Sequence, residues 1–207
     1  MYLIKTPGWL KRIYNNCIWE INTKEKIVYL SFDDGPHPIA TPFVLNELRK
    51  YNAKATFFCI GKNVKANSEI YKSIITEGHA VGNHTQNHLN GWKTNDKVYL
   101  DDIAEAKKYI DSNLFRPPYG RISMFQLRQL KGAKYNLKPV MWSVLSGDFD
   151  IDITPAQCAE NVLLNSKSGS IVVFHDSEKA FNNLRYALPK VLEYFSKEGY
   201  KFEKIML

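Results

Sequence analysis

Short apolar runs alternate with longer amphipathic stretches along almost the whole chain. Residues 27–32, 55–60, 80–83, 114–116, 137–143, 170–174 and 200–205 are the apolar runs, and each is of a length that predicts a buried strand. Between them, Thr41-Pro42 and Thr154-Pro155 each pair an N-cap hydroxyl with proline at the first helical position. Gly78 after residues 70–77 and Gly199 after residues 189–198 mark helix ends. Strand and helix signals in alternation predict an α/β fold built on parallel strands. No internal repeat, low-complexity tract or linker interrupts the pattern.

The first residues read differently. Trp9, Leu10, Ile13, Tyr14, Cys17 and Ile18 recur at helical spacing, with Lys11 and Arg12 on the other side. Residues 1–26 are therefore expected as an amphipathic segment packed on or flanking a main domain of residues 27–207. A helix lying on a membrane surface is the alternative, because Trp beside Lys and Arg suits an interface.

Bulk properties narrow the class. A chain of 207 residues suits one well-buried domain. The formal charge of +7 points to an anionic neighbour such as a phosphate-bearing sugar lipid, a wall polymer or a membrane surface. The basic residues are dispersed and no nucleic-acid-binding signature is present, so no nucleic-acid partner is expected. Three cysteines at unrelated spacings argue against a disulfide framework, and Cys59 reads as a small buried hydrophobe. No uninterrupted apolar stretch follows Met1, and no run approaches the ~18–20 residues of a membrane span. A native start and a place in the cytoplasm or at the inner membrane surface are expected, with export left open. The sequence carries no sign of oligomeric state.

The chemistry concentrates in two motifs. Ser31-Phe32-Asp33-Asp34-Gly35-Pro36 puts two carboxylates at the end of an apolar run, where a Gly-Pro turn can aim both at one pocket. His84-Thr85-Gln86-Asn87-His88 spaces two imidazoles four residues apart, which one helical turn would bring to the same face. One carboxylate and two histidines make three metal ligands with a fourth position open for water, the arrangement of a catalytic site. Each motif alone has a plainer reading, an Asx turn for the first and a solvated histidine pair for the second.

Three further motifs follow in order: Arg116-Pro117-Pro118-Tyr119, Asp148-Phe149 and Val173-Phe174-His175. With them the chain resembles the polysaccharide deacetylases of carbohydrate esterase family 4, from about residue 27 to the C-terminus. The resemblance implies a distorted barrel of seven β/α units in a single domain, with the motifs at the C-terminal ends of the strands. It also implies a metal-dependent hydrolase that removes N-acetyl groups from GlcNAc-type sugars in peptidoglycan or chitin oligomers. The implied ion is zinc, although mixed nitrogen and oxygen ligands also accept cobalt, nickel or manganese. Asp34, His84 and His88 would hold it, Asp33 would be the general base and His175 the acid for the leaving nitrogen. Arg116 would tune Asp33, and Asp148 would either orient His175 or pair with Arg116. Tyr119 would turn its backbone N–H to the oxyanion on a loop stiffened by Pro117 and Pro118, and Phe149 would offer a sugar-stacking face. The fourth motif departs from the family pattern, with Leu145 where an aspartate is usual and Phe149 where tryptophan is usual. Three rivals stay open. A deformylase or deacetylase of a lipid-linked aminosugar is consistent with the basic charge, the amphipathic N-terminus and the missing signal. A xylan O-deacetylase is another option in this family, and Leu145 encourages a carbohydrate-binding pseudoenzyme. His37 is expected at the pocket rim and His79 as a structural residue.

Overall fold

β1 (Ile27–Asp33) runs through the middle of one parallel sheet and is buried along its whole length. The computed structural model describes residues 2–207. β2 (Ala55–Cys59), β3 (Ala80–Asn83), β4 (Leu114–Phe115) and β5 (Lys138–Pro139) follow on one side of β1. β7 (Ile171–His175) and then β6 (Val144–Leu145) lie on the other, while β8 (Lys201–Phe202) pairs with the start of β1. Every one of these pairings is parallel. The sheet curls into the distorted barrel that the resemblance implies.

Alternation along the strands separates two cores. Val28, Leu30 and Phe32 of β1, with Phe57 of β2 and Phe174 of β7, pack outward against helices. Those helices include α2 (Ala40–Lys50), α4 (Ser68–Thr76), α7 (Pro155–Leu163) and α8 (Phe181–Lys197). Tyr29, Phe58, Val140 and Ile171 fill the barrel interior instead. A third cluster, including Tyr99, Ile103, Leu127 and Leu130, joins α5 (Asp96–Ala106) and α6 (Met124–Leu130) to Phe115 of β4. A short α3 (Gly61–Ala66) links β2 to α4.

Several local expectations need correction. The predicted strand over 137–143 is confined to Lys138–Pro139 with an isolated bridge at Val140, and the next strand is Val144–Leu145, which runs into the fourth motif. Between them Ser143, Met141 and Val140 bond to other segments, so the run is apolar because it is buried rather than because it is one strand. α2 begins at Ala40, and Thr41 is not its N-cap. His37 takes the capping part, its Nδ1 accepting from Ile39 N at 3.2 Å and Ala40 N at 3.1 Å, and it does not line the pocket. α8 begins at Phe181, well before the expected start, and carries Pro189 in its interior. By contrast, Thr154 forms a full capping box with Gln157, and Gly78 and Gly199 end their helices at positive φ.

The N-terminal segment closes the barrel. β5 and β6 are the two edges of the sheet, and residues 4–20 lie across them. Ile18 bridges to Val140, Lys5 to Val144 and Glu20 to Ser170. The expected helix through residue 18 is cut short: α1 spans Gly8–Ile13 and leaves Trp9 and Ile13 exposed. Extension from Cys17 onward lets Ile18 pair with the sheet and buries Cys17 and Trp19 in the third cluster. Among the described residues, no helix is long and apolar enough to cross a membrane.

Candidate active site

Parallel pairing in register brings the strand ends together. Asp33 sits level with Phe58 and His175, and Cys59 level with Asn83, which is itself level with Phe115. The next residues along these strands, Asp34, His84 and Arg116, therefore emerge at the same end of the barrel, as does the loop after β6 carrying Asp148. A cavity of about 420 Å³ opens there, lined by Asp33, Asp34, His84, His88, Tyr119 and His175 among others.

The two histidines do not share a helical turn. His84–His88 is a loop after β3, with Thr85 at φ 63° and His88 at φ 59°. Side chains, not helical hydrogen bonds, hold it. Asn83 Oδ1 accepts from Thr85 N at 2.8 Å, and Asp102 Oδ2 on α5 accepts from Gln86 N at 2.9 Å and Asn87 N at 3.0 Å. Six described non-glycine residues have positive φ, and Asp34, Thr85, His88 and Tyr119 of this site are four of them. Backbone held in sparsely populated regions gathers at sites whose surroundings enforce it.

Asp34, His84 and His88 each offer one ligand atom, and these lie within 4.8 Å of one another. Asp34 Oδ1 is 3.1 Å from His88 Nε2 and 3.7 Å from His84 Nε2, and it is buried without an aligned hydrogen-bond donor. An orphaned buried carboxylate oxygen facing two imidazole nitrogens fits a divalent cation. His84 Nδ1 donates to the Arg116 carbonyl at 2.7 Å, which leaves Nε2 as a lone pair towards Asp34. Burial pulls His84 down to about 4, so the imidazole is neutral and free to ligate. Burial works against the charge of Asp34, yet the His88, His175 and His84 imidazoles hold its carboxyl below the ordinary range. His88 Nδ1 lies 3.1 Å from the Tyr119 hydroxyl.

Arg116 is fully buried and belongs to Asp33. Its Nη1 donates to Asp33 Oδ1 at 2.7 Å and to Ser31 Oγ at 2.8 Å. Nε and Nη2 donate to the carbonyls of Val140 and Met141, and the guanidinium lies 4.0 Å from the Phe58 ring centre. This set satisfies the guanidinium without a carboxylate at position 145, where Leu145 forms an apolar wall of the cavity. Asp148 therefore takes the other of its two open parts. Its Oδ1 accepts from His175 Nδ1 at 2.7 Å and its Oδ2 from His175 N at 2.6 Å. Burial alone would lower His175, but the Asp148 charge and hydrogen bond, with Asp34 and Asp33 behind them, push it up to about 9. Phe149 lines the cavity with its ring edge-on to His175 at 5.2 Å. Pro118 is buried at the start of the turn that carries Tyr119.

Three features of the site had no signal in the motifs. Trp142 lines the cavity from the irregular stretch between β5 and β6. Tyr2 lines it too, its ring 5.0 Å from Phe149 and its hydroxyl donating to Asp150 Oδ2 at 2.6 Å. Asp176, fully buried beside His175, accepts from Gly35 N at 3.1 Å and from the Thr41 hydroxyl. Burial first, and then the charge of Asp34, raise Asp176 to about 8. A side chain at Gly35 would meet Asp176 Oδ2 at 2.0 Å, which is why the turn after the two aspartates needs glycine. His79 is structural as expected, buried with its Nδ1 accepting from Ala55 N at 3.2 Å.

Known proteins are similar to this chain in sequence and fold. Residues 20–137 match the family described as polysaccharide deacetylase. A peptidoglycan-N-acetylglucosamine deacetylase of Bacillus cereus is 40% identical over 190 residues, covering 89% of this chain and 88% of that protein. A chitooligosaccharide deacetylase of Azorhizobium caulinodans is 36% identical over 163 residues, covering 75% of this chain and 76% of that one. The crystal structure of a peptidoglycan N-acetylglucosamine deacetylase superposes with a TM-score of 0.87 at 31% identity, covering 97% of this chain and 95% of the other.

Proposed function

The chain belongs to the polysaccharide deacetylase family, and we propose that it is a metal-dependent hydrolase that removes the N-acetyl group from an amino sugar of a wall-type or chitin-type glycan. The observation that carries this reading is one cavity holding three convergent ligand atoms between a carboxylate fixed by arginine and an imidazole fixed by aspartate. Asp34, His84 and His88 would hold a divalent ion, which we propose to be zinc. When bound, that ion lowers the pKa of a water and polarises the acetamide carbonyl.

Asp33 takes the proton of the attacking water. Arg116 fixes its Oδ1, which leaves the other oxygen to receive that proton. His175 gives a proton to the departing nitrogen: Asp148 holds Nδ1, so Nε2 is the atom presented to the substrate. The Tyr119 backbone N–H is assigned to the developing oxyanion. Trp142, Leu145 and Phe149 wall the sugar ring. A binding protein without catalysis has no use for Asp33 and His175 set so closely about one ligand triad. The relatives described above act on N-acetylated glycans, and the lipid-linked aminosugar has no counterpart among them.

Acetate release from chitin oligomers and from purified wall glycan tests the reading. Release should stop on chelation and return with zinc. No acetate from any N-acetylated glycan in the presence of divalent ion would refute it.

A further inference from the structure

Asp34 follows β1 at φ 81°, a backbone conformation that residues with a side chain avoid and that lasts only where the surroundings enforce it. This turn parts the two aspartates: Asp33 goes to Arg116, and Asp34 Oδ1 goes to His84 and His88. Both peptide groups that flank the Asp34 Cα are gripped. In the peptide before it, the Asp33 carbonyl accepts from Asp176 N at 3.0 Å. In the peptide after it, the Asp34 carbonyl accepts from Asn63 Nδ2 at 2.7 Å, and Gly35 N donates to Asp176 Oδ1 at 3.1 Å. The φ and ψ of Asp34 are rotations between those two planes, so fixing both planes fixes where its carboxylate points.

The grips are themselves held. Asp176 is fully buried, and its Oδ2 accepts from the Thr41 hydroxyl, whose oxygen accepts from His37 N at 2.7 Å. Asn63 lies on α3, and the chain around it ties down the rest of the turn. Ile60 N donates to the Gly35 carbonyl at 3.0 Å and Asn67 Nδ2 to the Pro36 carbonyl at 3.1 Å. Neither Asp176 nor Asn63 lines the cavity, and the mechanism above gives them no step. We infer that Asp176 and Asn63 are positioning residues for the metal site. Gripping one peptide from its two ends, they hold Asp34 in the left-handed turn that aims Oδ1 at the two histidines. The inference rests on Asp34, His84 and His88 being the ligands, and its test reads metal affinity and amide exchange rather than turnover.

Zinc titration of the chelated protein against a competing chelator, beside hydrogen exchange of the Gly35 amide, decides it. Asp176→Ala and Asn63→Ala should each weaken zinc binding ~10–100-fold, the range for partners that orient a ligand. Asp176→Asn keeps an oxygen for Gly35 N and an N–H for Thr41 Oγ1, so it should bind within about threefold of the wild type. Because both alanine variants free the same peptide, their combination should lose less than the product of the single losses. Without metal, the Gly35 amide should exchange slowly in the wild type and fast in Asp176→Ala. Unchanged zinc affinity in the folded alanine variants would overturn the inference, as would a Gly35 amide that exchanges freely in the wild type. A loss in Asp176→Asn equal to that in Asp176→Ala would overturn it too, since charge rather than position would then be at work. If Asp176→Ala does not fold, Asn63→Ala, at a half-buried side chain, carries the test. A wild type that protects Gly35 and binds no divalent ion sinks the metal reading alone.

Discussion

Arg116 reaches Oδ1 of Asp33 at 2.7 Å, while Oδ1 of Asp34 faces His84 and His88 with no donor aligned on it. Adjacent aspartates thus meet opposite environments, and substitution should separate them. Asp33→Asn should keep its metal, measured by elemental analysis, and lose ~10²–10⁴ in kcat; an emptied site in that variant would mean the roles are shared. His84→Ala removes one of the three proposed ligands and should weaken metal binding by more than the ~10–100-fold typical of an outer partner. His175 must be protonated to act as an acid, so the rate should fall as pH rises through its value of about 9. Asp148 is the strongest influence raising that value, so Asp148→Asn should move the alkaline limb to lower pH by roughly one unit or more. A limb that does not move would assign it to another group. Residues in fixed motifs were legible at this scale because their identity is their chemistry. Asp176 was not, since its partner Gly35 is 141 positions away and nothing in either neighbourhood announces the contact.

Two histidines four positions apart have helical spacing, and the sequence alone favours a helical turn there. The structure makes a loop instead, because Asp102 supplies from α5 the acceptors that a helix would have supplied from its own backbone. Besides Gln86 N and Asn87 N, the same carboxylate takes Asn87 Nδ2 at 2.6 Å. Asp102→Ala strands three donors and should destabilise the fold by about 1–3 kcal/mol. It should also loosen the segment between His84 and His88, so metal affinity should fall although no ligand is touched. Denaturant unfolding and metal titration read the two effects separately; an unchanged metal affinity would mean that β3 and the strained backbone position the histidines unaided. The split between β5 and β6 was hidden for a related reason. Residues 137–143 are apolar enough for one strand, but only Lys138 to Val140 bond along β4, and beyond them the hydrogen bonds go to β7, to Arg116 and to the N-terminal segment. Period and composition report burial, and only the partners of each backbone group distinguish a strand from a buried irregular stretch.

At the scale of the molecule, alternating signals identify the parallel α/β sheet, but they do not say how its two edges are sealed. The exposed edges of β5 and β6 would present unpaired backbone groups, and the N-terminal segment covers them. Its two tryptophans give a clean comparison. Trp19 is 6% exposed in the third core cluster, with its indole N–H donating to the Tyr14 carbonyl at 3.0 Å. Trp9 is 60% exposed on α1. Periodicity placed Trp9 in an apolar helical pattern ending at Ile18 and left Trp19 outside it; the break after Ile13 turns Trp9 outward, and the extended chain beyond Cys17 carries Trp19 into the core. Trp19→Ala should cost ~3–5 kcal/mol, the range for an aromatic removed from a packed core. Trp9→Ala should stay within about 0.5 kcal/mol of the wild type. Loss of Trp19 should also loosen the cover over β5 and β6, so the destabilised variant should associate more readily at raised protein concentration, which light scattering would follow. Equal stability of the two variants in denaturant would mean that residues 4–20 lie loosely on the barrel and that β5 and β6 are held by their own neighbours.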